Sequence, residues 1–367
     1  MARVGACFEV DRRDLGVTRV AETEAGPPRA GEVLFEVERF GLSANNITYA
    51  LLGDALRYWD LFPAGPGWGR IPVWGYLRVR SSRVPGIKAG RRAFGLCPMA
   101  TEVILRPERA GRATFTEGSA HRSGLASAYN VYAWADTATP GGTPADTTSP
   151  GADDALVVLR PVFWLSFTLD DYLSRQGRHE RAVIVTSASS KAAMGLAYLL
   201  TGRGVTVIGL TSASHRPFTA GLSLYDQVIS YDHVEDLAGS GAVLVDLAGN
   251  AALRHRIGRR QAQTVIAGLT SPHAGSRGHP EDDGQQTVDF FVPDLIRARA
   301  REWGWPVLEQ RFQAALGGFA RHAASWLTVV RHSGLGAVDD VYQAVLNNTV
   351  SSPAEAQLID LTDGSRG

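Results

Sequence analysis

The stretch Arg181–Leu200, Arg-Ala-Val-Ile-Val-Thr-Ser-Ala-Ser-Ser-Lys-Ala-Ala-Met-Gly-Leu-Ala-Tyr-Leu-Leu, constrains this chain more than any other. Its β-branched run Val183-Ile184-Val185-Thr186 has the two-sided apolar character of a strand in the middle of a parallel sheet. Ala193, Leu196, Ala197 and Leu200 follow at i, i+3, i+4 and i+7, one face of a helix. A helix that opens directly after a tight turn aims unpaired N–H groups and the positive end of its dipole at that turn, where an anionic phosphate is stabilised. The stretch therefore predicts the strand–turn–helix unit that cradles a dinucleotide pyrophosphate.

The chemistry of the turn is unusual. The common G-x-G-x-x-G fingerprint uses glycines for tight bending and close backbone approach, whereas Ser187-Ala188-Ser189-Ser190 has none. Small side chains still permit close approach, the three serine hydroxyls offer donors to phosphate oxygens, and Lys191 adds a positive charge. The competing reading is a strand-to-helix turn that no longer holds a cofactor.

Further short apolar runs follow at near-regular spacing: Val205–Ile208, Gln227–Ser230, Ala242–Val245 and Thr264–Ala267, with helix-compatible segments between several of them. That alternation predicts a doubly wound α/β fold with a parallel sheet over about 165–300. The preceding region differs, with alternating Val33, Phe35 and Val37 and the Pro/Gly/Trp-rich segment Phe62–Tyr76, and reads as β-rich with irregular connections. Between them Asp136–Asp153, rich in Pro, Gly and Thr, predicts a mobile surface loop. Beyond 300 the pattern predicts a helix over Val307–His322, a strand over Trp326–Val330 and a helix over Val338–Leu346.

A chain of 367 residues is long for one core and predicts two domains. Its 37 basic and 37 acidic side chains balance, which removes the electrostatic case for a nucleic-acid or anionic-membrane binder and favours a small-molecule partner. Cys7 and Cys97 are too few for a disulfide framework or a four-thiolate zinc site, and no histidine pair has convincing metal-ligand spacing, so no metal is expected. There is no signal-peptide pattern and no bilayer-length apolar run, giving the expectation of a cytoplasmic protein. G-x-S-x-G, Walker A and H-E-x-x-H patterns are all missing, which leaves a hydrolase or kinase reading without support.

With its β-rich front, central nucleotide unit and returning tail, the chain resembles the medium-chain dehydrogenase/reductase superfamily, in particular its zinc-free quinone-oxidoreductase-like branch. Gly31–Glu38 and Phe40–Tyr49 resemble that family's first strands and cofactor-facing turn, and Gly75–Gly95 its following segment. Val207–Ser212, Tyr225–Tyr231 and Val243–Gly249 resemble its later nucleotide-domain strands. The Ser-Ala-Ser-Ser-Lys turn together with Ala-Asn-Asn-Ile-Thr-Tyr also looks like a subgroup described only as a domain of unknown function. The resemblance implies a Rossmann-type sheet over 161–304 and a GroES-like substrate domain built from 1–160 with 305–367. It also implies a homodimer. The first cysteine ligand of zinc-dependent members falls near Ala44-Asn45-Asn46 here, and the four-cysteine loop is missing.

An NAD-selective site places a carboxylate after the second strand, and Gly209-Leu-Thr-Ser-Ala-Ser-His-Arg216 has none. Thr211, Ser212, Ser214, His215 and Arg216 offer donors and a cation suited to the 2′-phosphate of NADP. The resemblance adds Tyr231 beside that phosphate. Ala248 and Gly249, and Gly268 and Thr270, end the fourth and fifth strands, where small residues let a ribose approach. For the reacting end the resemblance implies Asn46 and Tyr49, with Tyr58, Trp59, Trp68, Trp74 and Tyr76 as planar walls. Ser166 and Thr168 fall near the domain junction, within reach of the nicotinamide, and Asp170 and Asp171 read as the start of a helix. The function implied is an NADPH-dependent, zinc-independent oxidoreductase that reduces an activated C=C or carbonyl in the cleft between domains. Two alternatives stay open: a redox-neutral enzyme on the same fold, and a non-catalytic protein that senses NADPH.

Overall fold

The computed structural model describes residues 5–23, 26–135, 152–176, 182–237, 241–257, 263–267, 287–350 and 352–362. The chain divides into two compact units, Met1–Val158 with Leu327–Gly367, and Leu159–Trp326.

The apolar runs of the second unit form a parallel sheet, six-stranded among the described residues. Across the sheet the strands run Gln227–Ser230, Val207–Thr211, Val183–Val185, Val243–Asp246, Gln263–Ile266 and Thr287–Asp289. In chain order within the unit this is 3-2-1-4-5-6, and the order of winding reverses between the first and fourth strands, which run parallel. Helices Lys191–Thr201, Arg216–Gly221 and Ala251–Ile257 form connections between strands. An α/β fold with a Rossmann-type parallel sheet is thus present, and ligands of such sheets sit at the carboxyl ends of the strands where the order reverses. Ile184, Ile208, Leu210, Ile229 and Leu244 pack with Leu253 and Ile257 into one core.

Some predicted bounds shift for identifiable reasons. The second strand begins at Val207 rather than Val205, because the Val205 N–H closes the preceding helix on the Leu200 carbonyl at 3.1 Å. Trp326 likewise lies in the turn that follows a helix, its N–H donating to Ala323 O at 3.0 Å, and the next strand is Thr328–Ser333. The helix predicted over Val307–His322 runs Trp305–Ala323 and belongs to the second unit.

The first unit carries a separate β-rich sheet around Val33–Leu42, which pairs antiparallel with Pro72–Ser82, Glu102–Leu105 and Glu355–Asp360. Within the Phe62–Tyr76 segment a strand begins at Pro72, and its residues Pro72–Arg78 pair with Arg92–Pro98. Close approach is made possible by glycine: a Cβ at Gly95 would lie 2.2 Å from the Tyr132 ring, and one at Gly75 would lie 2.4 Å from Arg39 O. Tyr132 stacks on Phe115 at 4.8 Å and donates its hydroxyl to Leu96 O at 2.5 Å, so this buried aromatic satisfies its own polar end.

The predicted loop 136–153 lies outside the described residues up to 151; Ala152 begins the helix Ala152–Arg175, which carries the chain from one unit into the other. Asp170 and Asp171 therefore do not start a helix. They lie toward the end of one, where the helix dipole disfavours carboxylates, and arginines offset this: Asp170 pairs with Arg203, and Asp171 with Arg175 and Arg299. Among the described residues no helix is long and apolar enough to cross a membrane.

Candidate functional site

The turn after the first strand of the parallel sheet adopts the geometry that glycine normally supplies. Ser187 has φ of +51°, in the left-handed region, at a cost of about 1 kcal/mol or more for a residue with a Cβ. Two tyrosines brace it: the Tyr231 hydroxyl accepts the Ser187 N–H at 2.9 Å, and Tyr225 donates its hydroxyl to Ala188 O at 2.7 Å. Burial pushes both phenols above their usual range, so both stay protonated, and Tyr231 keeps its own proton to donate. Ala188 is fully buried, and Gly209 on the neighbouring strand has no room for a side chain, since a Cβ there would meet Ala188 and Tyr225 at 2.9 Å.

Of the three serines, Ser190 caps the helix Lys191–Thr201 by accepting the Ala193 N–H at 3.2 Å. Ser189 is linked to the second strand: Thr211 Oγ1 donates to Ser189 Oγ at 3.1 Å, and Ser189 Oγ lies 3.1 Å from His215 Nδ1. Ser212 and Ser214 share a hydrogen bond of 3.0 Å, and Arg216 Nε donates to Val228 O at 3.2 Å. The Ser189 and Ala192 N–H groups make no hydrogen bond among the described residues, and with Lys191 at the same helix start they form a donor-rich mouth.

The fourth strand ends in Asp246, fully buried. Its Oδ1 accepts from Thr186 Oγ1 at 2.8 Å, Ala248 N at 3.0 Å and Gly249 N at 3.1 Å, while Oδ2 pairs with Arg254 Nη1 at 2.5 Å. Gly249 takes φ of +64°. Asp246 thereby ties the Ala248–Gly249 turn to the end of the first strand. Gly268 and Thr270, the other pair expected at this edge, lie outside the described residues.

In the first unit the structure assembles three tyrosines. Tyr49 and Tyr58 meet edge to face at 4.9 Å, and Tyr129 packs on both at 6.2 and 5.5 Å. The Tyr58 and Tyr129 hydroxyls share a hydrogen bond of 2.9 Å, and the Tyr49 hydroxyl accepts from Trp74 Nε1 at 3.2 Å. Desolvation raises all three phenols, which keeps them neutral hydrogen-bond donors. Tyr129 is half-buried and carries no signal in the sequence that separates it from any other loop tyrosine.

Several expected site residues have bonding or packing partners within the protein. Asn46 lies on the helix Ala44–Leu51, where a cofactor-facing turn was expected; its Oδ1 accepts the Ser43 N–H at 2.8 Å and its Nδ2 donates to Pro72 O at 3.0 Å. Ser166 donates to Ala192 O at 2.7 Å, and Thr168 bonds back to Trp164 O at 2.7 Å within its own helix, so each hydroxyl proton is used within the protein. Trp59 fills the space above Gly53 and Gly69, Trp68 lies under Arg19, and Tyr76 lies under Arg39 and Arg92. Of the expected planar walls, Trp74 and Tyr58 join the tyrosine group.

A parallel sheet of order 3-2-1-4-5-6 and, in a separate unit, a β-rich sheet make up the fold of quinone oxidoreductases. The chain is similar to the quinone oxidoreductase of Coxiella burnetii, with 13% identity and a TM-score of 0.55 over 98% of this chain and 100% of that one. It is similar to CurA of Vibrio vulnificus in complex with NADPH, with 14% identity and a TM-score of 0.59 over 97% and 99%. It is also similar to the yhdH oxidoreductase of Salmonella enterica in complex with NADP, with 16% identity and a TM-score of 0.53 over 97% and 100%. Comparison with curated proteins gave no match. Residues 40–351 match the family described as "Protein of unknown function (DUF2855)", and the chain belongs to it.

Proposed function

We propose that this chain is an NADPH-dependent, zinc-independent oxidoreductase that reduces an activated C=C or carbonyl of a small molecule. The carrying observation is the braced Ser187–Ser190 turn at the reversal of the sheet, facing a second-strand end that offers hydroxyls, an imidazole and a guanidinium but no carboxylate. The residues present fit a dinucleotide: Ser189 and Ala192 offer N–H groups, Lys191 a charge, and Ala188 and Gly209 the close packing that lets the backbone approach. Thr211, Ser212, Ser214 and Arg216 would hold the 2′-phosphate, with the Tyr231 proton beside them, and Ala248–Gly249 the second ribose. CurA and the yhdH oxidoreductase, which share the fold, bind NADPH and NADP.

When bound, a reduced nicotinamide supplies a hydride. The acceptor's oxygen then gains negative charge, and a neutral phenol is the donor such an oxyanion needs. Tyr49, Tyr58 and Tyr129 are that donor group in this reading, with Trp74 holding the Tyr49 hydroxyl. Asn46 acts through the helix that carries Tyr49, by capping it. We further propose that the protein is cytoplasmic and works as a homodimer, which light scattering checks.

Calorimetric titration with NADPH and NADH, followed by NADPH consumption with enones and quinones, tests the reading. NADPH is expected to bind, with Lys191→Ala and Arg216→Ala each weakening it roughly 10-fold, the scale of one charge-assisted contact. Tyr49→Phe is expected to slow turnover at unchanged NADPH affinity. Absence of both binding and turnover removes the proposal. One observation favours the redox-neutral alternative: the Ser189 and Ser190 hydroxyls are already engaged within the protein, so these two side chains need no ligand. Turnover of a substrate without nucleotide would establish it, whereas nucleotide binding without any turnover would favour a sensor.

A further inference from the structure

We propose that Arg122 is the positioning residue of the tyrosine group, a buried crossbar that holds the turn of Tyr58 against the loop of Tyr129; this rests on the reductase reading above. Arg122 ends the short helix Ala120–Arg122 and is only 2% exposed. Its Nε donates to Leu61 O at 3.0 Å, its Nη1 donates to the Tyr132 hydroxyl at 3.1 Å, and the guanidinium lies 4.5 Å over the Phe62 ring. No carboxylate pairs with it among the described residues. Glu117, buried just before this loop, spends its two oxygens on the N–H groups of Arg106 and Ser119.

A buried cation without an anion is costly, and an apolar side chain of similar size would pack there without that cost. What the guanidinium adds is a rigid fork of donors. Tyr58 lies in the short helix Tyr58–Asp60, which is entered through Arg57 at φ of +58° and closed by the Leu61 N–H on Tyr58 O at 3.1 Å. Such a turn has poor hydrogen-bond geometry and little rigidity of its own. Tyr129 lies in the other segment, where the Arg122 carbonyl accepts from Asn130 Nδ2 at 3.4 Å and from the Leu125 N–H at 3.0 Å. The main chain of Arg122 thus belongs to the loop of Tyr129, while its side chain grips the turn of Tyr58. The Tyr132 hydroxyl, itself bonded to Leu96 O, anchors the fork to the sheet. The hydrogen bond of 2.9 Å between Tyr58 and Tyr129 spans the two segments that this one side chain joins.

The test compares full-length wild-type protein, Arg122→Met, Tyr129→Phe and the double variant for NADPH consumption with an enone and for NADPH binding by calorimetry. Arg122→Met is expected to lower kcat about 10-fold at unchanged NADPH affinity, as a slightly misplaced proton donor does. In the Tyr129→Phe background, where the pair is already broken, the same substitution is expected to cost less than about 2-fold. Arg122→Lys keeps the charge but not the fork and is expected to lose about 3-fold. Should Arg122→Met fail to fold, Tyr132→Phe, which withdraws only the hydroxyl that Nη1 bonds, takes its place in the cycle. A residue that merely supports the unit would cost the same factor with or without the Tyr129 hydroxyl. That result, or no loss in either background, overturns the assignment and leaves the reductase reading standing. If wild-type protein consumes no NADPH with enones or quinones, both fall.

Discussion

Replacing Asp246 with alanine removes a buried carboxylate that helps join the first and fourth strands at their carboxyl ends. Its Oδ1 receives the Thr186 hydroxyl and the N–H groups of Ala248 and Gly249, and its Oδ2 receives Arg254. The carboxylate is fully buried, so the donors it leaves behind are not simply handed to water. Thr186 Oγ1 still accepts from Leu247 N at 2.8 Å and Ala248 N at 2.9 Å, which preserves part of the turn. Arg254, with 26% of its side chain exposed, rehydrates in part. Deleting one partner of a buried ion pair costs about 3–5 kcal/mol, and the partial compensation here places the expected loss at about 3–4 kcal/mol. For a unit of this size that lowers the melting midpoint by roughly 6–16 °C. Asp246→Asn keeps Oδ1 but sets an amide NH2 against Arg254 in place of an acceptor, so a smaller loss of about 2 kcal/mol is expected. Urea denaturation and calorimetric melting of the two variants measure the difference. A cost under about 1 kcal/mol for Asp246→Ala would refute the claim that this carboxylate holds the site together.

Three other outcomes are expected. Ser187→Gly should leave stability unchanged or raise it by up to about 1 kcal/mol, because φ of +51° suits glycine, whereas Ser187→Val should cost about 2 kcal/mol in the same denaturation assay. Burial raises the Asp170 carboxyl to about 6, against the opposing pull of Arg203, and its Oδ1 has no hydrogen-bond partner. A folded-state value above the unfolded one means that this stabilisation is full below about pH 4 and is lost as pH rises through 6. Stability should therefore fall across that window by on the order of 2 kcal/mol, and Asp170→Asn should flatten the slope. Burial pushes the Cys7 thiol up to about 12 and raises that of Cys97 further, so neither should react with a disulfide reagent at pH 8 until the protein is unfolded.

The sequence by itself determined the strand–turn–helix unit of the parallel sheet, because its signals are local. Val183–Val185 and Gln227–Ser230 are short β-branched or apolar runs with little competing helical period, and Ala193, Leu196, Ala197 and Leu200 lie in the core as their spacing requires. The turn between strand and helix was legible too, including its lack of glycine. Tertiary structure decided what those residues do. Asn46 has the composition of a site residue but spends its amide on a cap and on Pro72, a contact 26 residues away. Asp170 and Asp171 follow a proline that usually marks a helix start, yet Pro161 is tolerated inside the helix Ala152–Arg175, and arginines distant in sequence pair with both carboxylates. Tyr129 joins Tyr58 across 71 residues, and Ser189 finds His215 across 26. Hydrogen bonds of this kind depend on angstrom-scale placement of chain segments that the hydrophobic pattern brings together only coarsely. The periodicity of side chains thus selects the sheet and its order, and the distances between remote hydroxyls, amides and carboxylates select the chemistry.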